Sequence, residues 1–135
     1  MSGKYKEPPL LNVLLVDDEK GYLHVLSNRL ARRSIKATTA FSGTQAIQIL
    51  RKNDFHVVVL DLKMEGMDGI EVLKVIKQMV PDLPVIILTG HGSQTAASEG
   101  IAYGAFDYLT KPCELSELLD KIHEAYRHQT EKHPE

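Results

Sequence analysis

The feature that most constrains the fold is a set of three short, almost uninterrupted apolar runs. Residues 11–16 (Leu-Asn-Val-Leu-Leu-Val), 56–60 (His-Val-Val-Val-Leu) and 85–88 (Val-Ile-Ile-Leu) consist largely of leucine and β-branched residues. They are too short for buried helices and lack the apolar–polar alternation of a strand with one wet face. Such runs suit strands covered on both sides, as in a parallel sheet between helical layers. Residues 35–41 and 106–109 are weaker strand candidates and suit the sheet edges.

The segments between these runs carry helical spacing. Leu23, Leu26 and Leu30 share one face of the first, and Ala46, Ile49 and Leu50 follow Ser42-Gly43-Thr44-Gln45, which has the form of a capping box. Asp68 and Glu71 repeat that logic with a carboxylate cap before Val72, Leu73 and Ile76. Residues 93–102 are rich in alanine and glycine and have little to bury, so they predict the loosest helix. Leu115, Leu118, Leu119, Ile122 and Tyr126 form the clearest amphipathic stripe. Five strand–helix repeats predict an α/β fold of one domain: a flavodoxin-like (βα)5 doubly wound parallel sheet, strand order 2-1-3-4-5. The expected divisions are a solvated arm at 1–9, the domain at 10–127 and a polar tail at 128–135 that frays after about Arg127.

Composition narrows the function. The 135 residues include 16 basic and 18 acidic ones, so no global basic field points to direct binding of nucleic acid. One cysteine excludes an internal disulfide framework, and no cysteine–histidine spacing suits zinc. The apolar runs are too short to span a membrane, and the polar first residues do not resemble a signal peptide. A cytoplasmic setting is the expectation.

In a parallel sheet the carboxyl ends of the strands share one edge, and ligands bind there. The first strong run ends at Asp17-Asp18-Glu19, the third-strand run at Asp61 and the fourth at Thr89, while Lys111-Pro112 follows the fifth. Three aspartates against one lysine call for a cation, and carboxylates with waters suit magnesium, with manganese able to substitute. Such a site leaves room for a phosphate oxygen beside Asp61, with Thr89 and Lys111 as partners for the other oxygens. A carboxylate so placed can attack phosphorus and form an acyl phosphate.

The motifs Leu14-Leu15-Val16-Asp17-Asp18-Glu19, Val58-Val59-Leu60-Asp61-Leu62, Met67-Asp68-Gly69, Ile87-Leu88-Thr89-Gly90 and Gly104-Ala105-Phe106-Asp107-Tyr108-Leu109-Thr110-Lys111-Pro112 resemble the receiver domain of two-component response regulators. The similarity spans about residues 11–127. The stretch 88–93 looks most like receivers of enhancer-binding transcriptional activators. The resemblance implies a phosphorylation-dependent signalling switch that transforms no separate metabolite. Asp61 would accept phosphate from a histidine of a sensor kinase or phosphotransfer protein. Asp18 would bind magnesium directly, Asp17 directly or through water, and the backbone carbonyl of Lys63 would be a further ligand. Thr89 and Lys111 would contact the phosphoryl group, Tyr108 would be the aromatic switch, and the Lys111–Pro112 bond would be cis.

Further expectations follow from position. Lys63 and His91 lie two residues beyond Asp61 and Thr89 and should tune dephosphorylation. The segment 93–102, the fifth strand and the last helix should form the face that changes, with a phosphorylation-dependent homodimer as one outcome. Many relatives carry proline in place of Glu65, so Glu65 is expected to leave its turn freer. Cys113 reads as a small half-buried residue, Met64 and Met67 as gap-fillers, and Asp107 as a surface or turn residue. Three other functions fit the fold. A small aspartyl-phosphate phosphatase would carry Asp-x-Asp on the first strand. A flavin carrier would need a phosphate-binding loop where the acidic Asp17-Asp18-Glu19 stands. A degenerate receiver acting as a protein-binding module would not keep every reactive residue.

Overall fold

The computed structural model describes residues 10–90 and 94–132. Along these residues the elements are β1 (Leu11–Val16), α1 (Lys20–Ala31), β2 (Ile35–Ala40), α2 (Gly43–Lys52), β3 (Val57–Leu60), β4 (Lys63–Met64), β5 (Met67–Asp68), α3 (Gly69–Met79), β6 (Val85–Thr89), α4 (Gln94–Ala102), β7 (Asp107–Thr110) and α5 (Leu115–Lys132). Five strands pair in parallel in the order β2-β1-β3-β6-β7. With the small antiparallel β4–β5 hairpin set aside, this is the expected 2-1-3-4-5 order, and the two weaker strands stand at the edges.

The apolar runs are continuous because each strand serves two cores. Leu14, Val16, Val58, Leu60, Val85 and Ile87 turn to one side, where they meet Ala46 and Leu50 of α2, Val72, Leu73 and Ile76 of α3, and Ala97 of α4. Their neighbours Val13, Leu15, Val57, Val59, Ile86 and Leu88 turn to the other and meet Leu23, Leu26 and Leu30 of α1 and Leu118, Leu119 and Ile122 of α5. Pleating places successive side chains on opposite faces, so a strand sandwiched between helices cannot have a polar register. Burying one leucine or isoleucine in full contributes about 1.5–3 kcal/mol, and eleven of the largest fully buried side chains are of these two types.

The helix starts differ in detail from their sequence signatures. Ser42 Oγ accepts from the Gln45 N–H at 3.1 Å, but the Gln45 side chain reaches past Ser42 to the Phe41 N–H at 2.6 Å. Asp68 Oδ1 accepts from the Ile70 N–H at 2.9 Å, whereas Glu71 turns outward and pairs with Lys74 at 3.2 Å. In α4 the buried residues are Ala97 and Gly100, as its composition implies. Helix α5 continues past Arg127 to Lys132, and the His128 ring packs against Phe106 with centroids 5.4 Å apart. Residues 1–9 and 133–135, parts of the expected arm and tail, lie outside the described residues.

Candidate functional site

Strand register explains why residues far apart in sequence meet. Val16 of β1 stands beside Leu60 of β3, and Leu60 beside Ile87 of β6. Thr89 of β6 stands beside Thr110 of β7. The next residue along β1 is Asp17, along β3 Asp61, and along β7 Lys111. The ladder carries on through each: Asp17 N–H donates to Ala40 O, Asp61 N–H to Val16 O, and Lys111 N–H to Thr89 O at 2.7 Å. These side chains are therefore anchored by backbone bonds to a rigid sheet edge rather than carried on loops.

Asp17, Asp61 and Thr89 are buried, and Asp18 is half-buried. One carboxylate oxygen from each of Asp17, Asp18 and Asp61 lies within 4.8 Å of the others. Thr89 Oγ1 donates to Asp61 Oδ1 at 2.8 Å, and the Lys63 N–H donates to the same oxygen at 3.1 Å. The Lys111 ammonium lies 2.7 Å from Asp17 Oδ2, 3.0 Å from Glu19 Oε1 and 3.5 Å from Asp61 Oδ2. It also sits 4.7 Å from the centroid of the Tyr22 ring. The Lys111–Pro112 bond is cis.

Burial pushes the Asp17 carboxyl above its ordinary range, even though Lys111 and the Glu19 N–H oppose this. Burial also disfavours the Lys111 ammonium, but hydrogen bonds to Asp17 and Glu19, with the nearby Asp61 charge, outweigh it and hold the lysine protonated. The cluster thus concentrates negative charge that a single ammonium does not balance. Three convergent carboxylates offer hard oxygen ligands, the donor type that Mg2+ takes. The residues fit a divalent cation: Asp17, Asp18 and Asp61 could hold it, and the cation would relieve their mutual repulsion.

The structure brings together Asp17, Asp18, Asp61, Thr89 and Lys111. Lys63 stands in β4, its side chain exposed and its N–H on Asp61. Tyr108, in β7 opposite Ile87, is half-buried against the core that contains Ala97 of α4. His91 lies outside the described residues. Cys113 is half-buried, and burial pushes its thiol up, away from the reactive thiolate. Asp107 is more than a surface residue: it opens β7 and pairs with Lys121 of α5 at 2.6 Å.

Two contacts were invisible in the sequence. Glu19 competes for Lys111 at 3.0 Å, a contact that residue type and spacing alone do not mark. The Glu65 N–H donates to Asp18 Oδ2 at 2.9 Å, so Glu65 does not leave its turn free as expected but ties it to the cluster. Gly66, at φ +75°, makes that turn possible.

Residues 13–123 match the response regulator receiver domain family. The chain belongs to that family. It is a signalling module of two-component systems, and its signalling depends on phosphorylation in the general sense of the family. The transcriptional regulatory protein GlrR of Escherichia coli (strain K12) is 38% identical over 114 residues, covering 84% of this chain and 26% of GlrR. The DNA-binding transcriptional regulator NtrC of the same organism is 38% identical over 120 residues, covering 89% of this chain and 26% of NtrC. The receiver domain thus spans about a quarter of the length of the curated relatives it matches. Both names agree with the resemblance of residues 88–93 to receivers of transcriptional activators. A crystal structure of a response regulator receiver domain protein from Clostridium thermocellum superposes with a TM-score of 0.86 at 34% identity, covering 90% of this chain and 98% of that one. Among the described residues no helix is long and apolar enough to cross a membrane.

Proposed function

We propose that Asp61 is the phosphoacceptor of a switch driven by a sensor histidine kinase or phosphotransfer protein. The observation that carries this reading is the meeting of Asp61 with Thr89, Lys111 and two further carboxylates at one sheet edge. A carboxylate oxygen of Asp61 attacks phosphorus, the bond from phosphorus to the donor's imidazole nitrogen breaks, and its electron pair leaves with the imidazole. The product is an acyl phosphate.

Magnesium, held by Asp17, Asp18, Asp61 and the Lys63 carbonyl, would neutralise carboxylate charge and draw electron density from phosphoryl oxygens. The chain's own groups do the rest. Lys111 orients the phosphoryl group and offsets charge on its equatorial oxygens. Thr89, now bonded to Asp61, turns its hydroxyl to a phosphoryl oxygen. Each such charge-assisted bond contributes about 1.5–3 kcal/mol, so two that form in only one state shift a two-state equilibrium roughly a hundredfold to ten-thousandfold. The withdrawn Thr89 leaves space beside β7, into which Tyr108 moves. The changed face of α4, β7 and α5 then pairs with a second copy. Lys63 and His91, two residues beyond the reacting groups, tune hydrolysis of the acyl phosphate.

Incubation with acetyl phosphate and MgCl2 followed by intact mass tests the reading. The wild type should gain one phosphoryl group and Asp61→Asn none; equal gain by both would overturn it. Sedimentation after beryllofluoride treatment tests the pairing, and a monomer at high concentration would exclude it.

A further inference from the structure

The β4–β5 hairpin is held to the acidic cluster from two points. At its base the Lys63 N–H donates to Asp61 Oδ1, and at its tip the Glu65 N–H donates to Asp18 Oδ2 across 47 positions of sequence. Met64 pairs with Met67, so the turn between them is only Glu65-Gly66. Gly66 has φ +75°, and Glu65 is not among the residues with positive φ. That combination is the pattern of a type II turn, whose first central position readily accepts proline. Proline there has no N–H to offer. The contact to Asp18 therefore exists because this chain carries a residue with an amide proton at position 65.

Asp18 needs such a tether more than its neighbours do. Asp17 and Asp61 are almost fully enclosed, whereas Asp18 is half-buried and faces a surface depression of about 490 Å³ lined with residues 62–65. An untethered half-exposed carboxylate samples several rotamers, and ordering it on a cation costs conformational entropy. The bond to Glu65 fixes the Asp18 carboxylate through Oδ2, and one Asp18 oxygen lies within 4.8 Å of oxygens of Asp17 and Asp61.

We propose that the Glu65 backbone amide is a positioning group for cation binding: it pre-orders Asp18, so that closure of the hairpin and occupation of the acidic cluster reinforce each other. The proposal rests on reading Asp17, Asp18 and Asp61 as a cation site. Coupling of this kind is reciprocal, so the cation must in turn protect the hairpin tip.

The test compares Glu65→Pro with Glu65→Ala in the full chain. Both lack the Glu65 carboxylate, and they differ in the amide proton. Amide chemical shifts followed through a MgCl2 titration should give binding roughly three- to tenfold weaker for Glu65→Pro than for Glu65→Ala, the range set by losing one hydrogen bond to a partly solvated carboxylate. A second measurement leaves the hairpin untouched. In cation-free protein, exchange of the residue 65 amide should speed up in Asp18→Ala, and in the wild type it should slow when MgCl2 is added. Equal or tighter Mg2+ binding by Glu65→Pro, or residue 65 exchange indifferent to Asp18→Ala, overturns the positioning role. Saturable wild-type binding alongside either result leaves the cation-site reading standing. Absence of saturable binding by the wild type sinks both.

Discussion

One ammonium serves three carboxylates at the edge of the sheet. Lys111 is closest to Asp17, close to Glu19 and farthest from Asp61, so in this state it is held mainly by groups other than the proposed acceptor. Thr89, by contrast, is already on Asp61. We predict that Thr89→Val, which keeps the buried shape but removes the donor, lowers stability by about 1 kcal/mol, because Asp61 Oδ1 retains the Lys63 N–H. Urea denaturation measures it; an unchanged midpoint would mean that the hydroxyl contributes nothing to the resting state. At this scale the sequence was informative wherever a side chain ended a strand, since the strand end dictates where that side chain lies. It was silent about Glu65, whose backbone rather than side chain makes the contact. A backbone donor has no signature in residue type, apart from the absence of proline.

Elements reach the site through close approaches that admit no bulk. Gly69 opens α3, donates its N–H to Leu62 O at 3.2 Å, and has no room for a side chain: an added Cβ would fall on the Leu62 Cα and lie 2.5 Å from its carbonyl oxygen. The obstacle is backbone immediately after Asp61. Gly69→Ala should therefore cost about 1–3 kcal/mol by overpacking and displace the turn that follows β3. Chemical denaturation gives the cost, and amide shifts at residues 61–63 report the displacement; wild-type values in both would refute the crowding argument. Helix α4 lies at the other extreme. With Ala97 and Gly100 as its buried residues, it should exchange its amides faster than α3, which buries five residues including Val72, Leu73 and Ile76. Slower exchange in α4 than in α3 would contradict this. The helices were legible because apolar residues recur at their period. The β4–β5 hairpin was not, because two-residue strands are shorter than any periodicity can register.

The molecule is two apolar layers divided by one sheet, and that division is readable in the sequence: a continuous β-branched run has no other comfortable place. The ties that fasten edge strand β7 to α5 were less readable, because they depend on which polar residues face each other. Burial raises the Asp107 carboxyl, but the Lys121 ammonium at 2.6 Å and the Tyr108 N–H together outweigh it and hold the group below its ordinary value. A depressed carboxyl adds stability above the pKa of the unfolded chain, about 3.9, and that stability is lost as pH falls through the folded value. We predict that wild type exceeds Asp107→Asn in melting temperature near neutral pH and that the gap closes below about pH 4. The exposure of both side chains keeps the gap under about 1 kcal/mol. A gap that persisted in acid would locate its origin elsewhere than in the carboxylate.

Tyr22 lies under the Lys111 ammonium, and the chain has no tryptophan to mask tyrosine absorption. Drawing a full positive charge away from an aromatic ring perturbs its near-ultraviolet band. The protein consequently carries its own unlabelled optical gauge of where that lysine resides, readable by difference spectroscopy against Tyr22→Phe as each turnover of the switch proceeds.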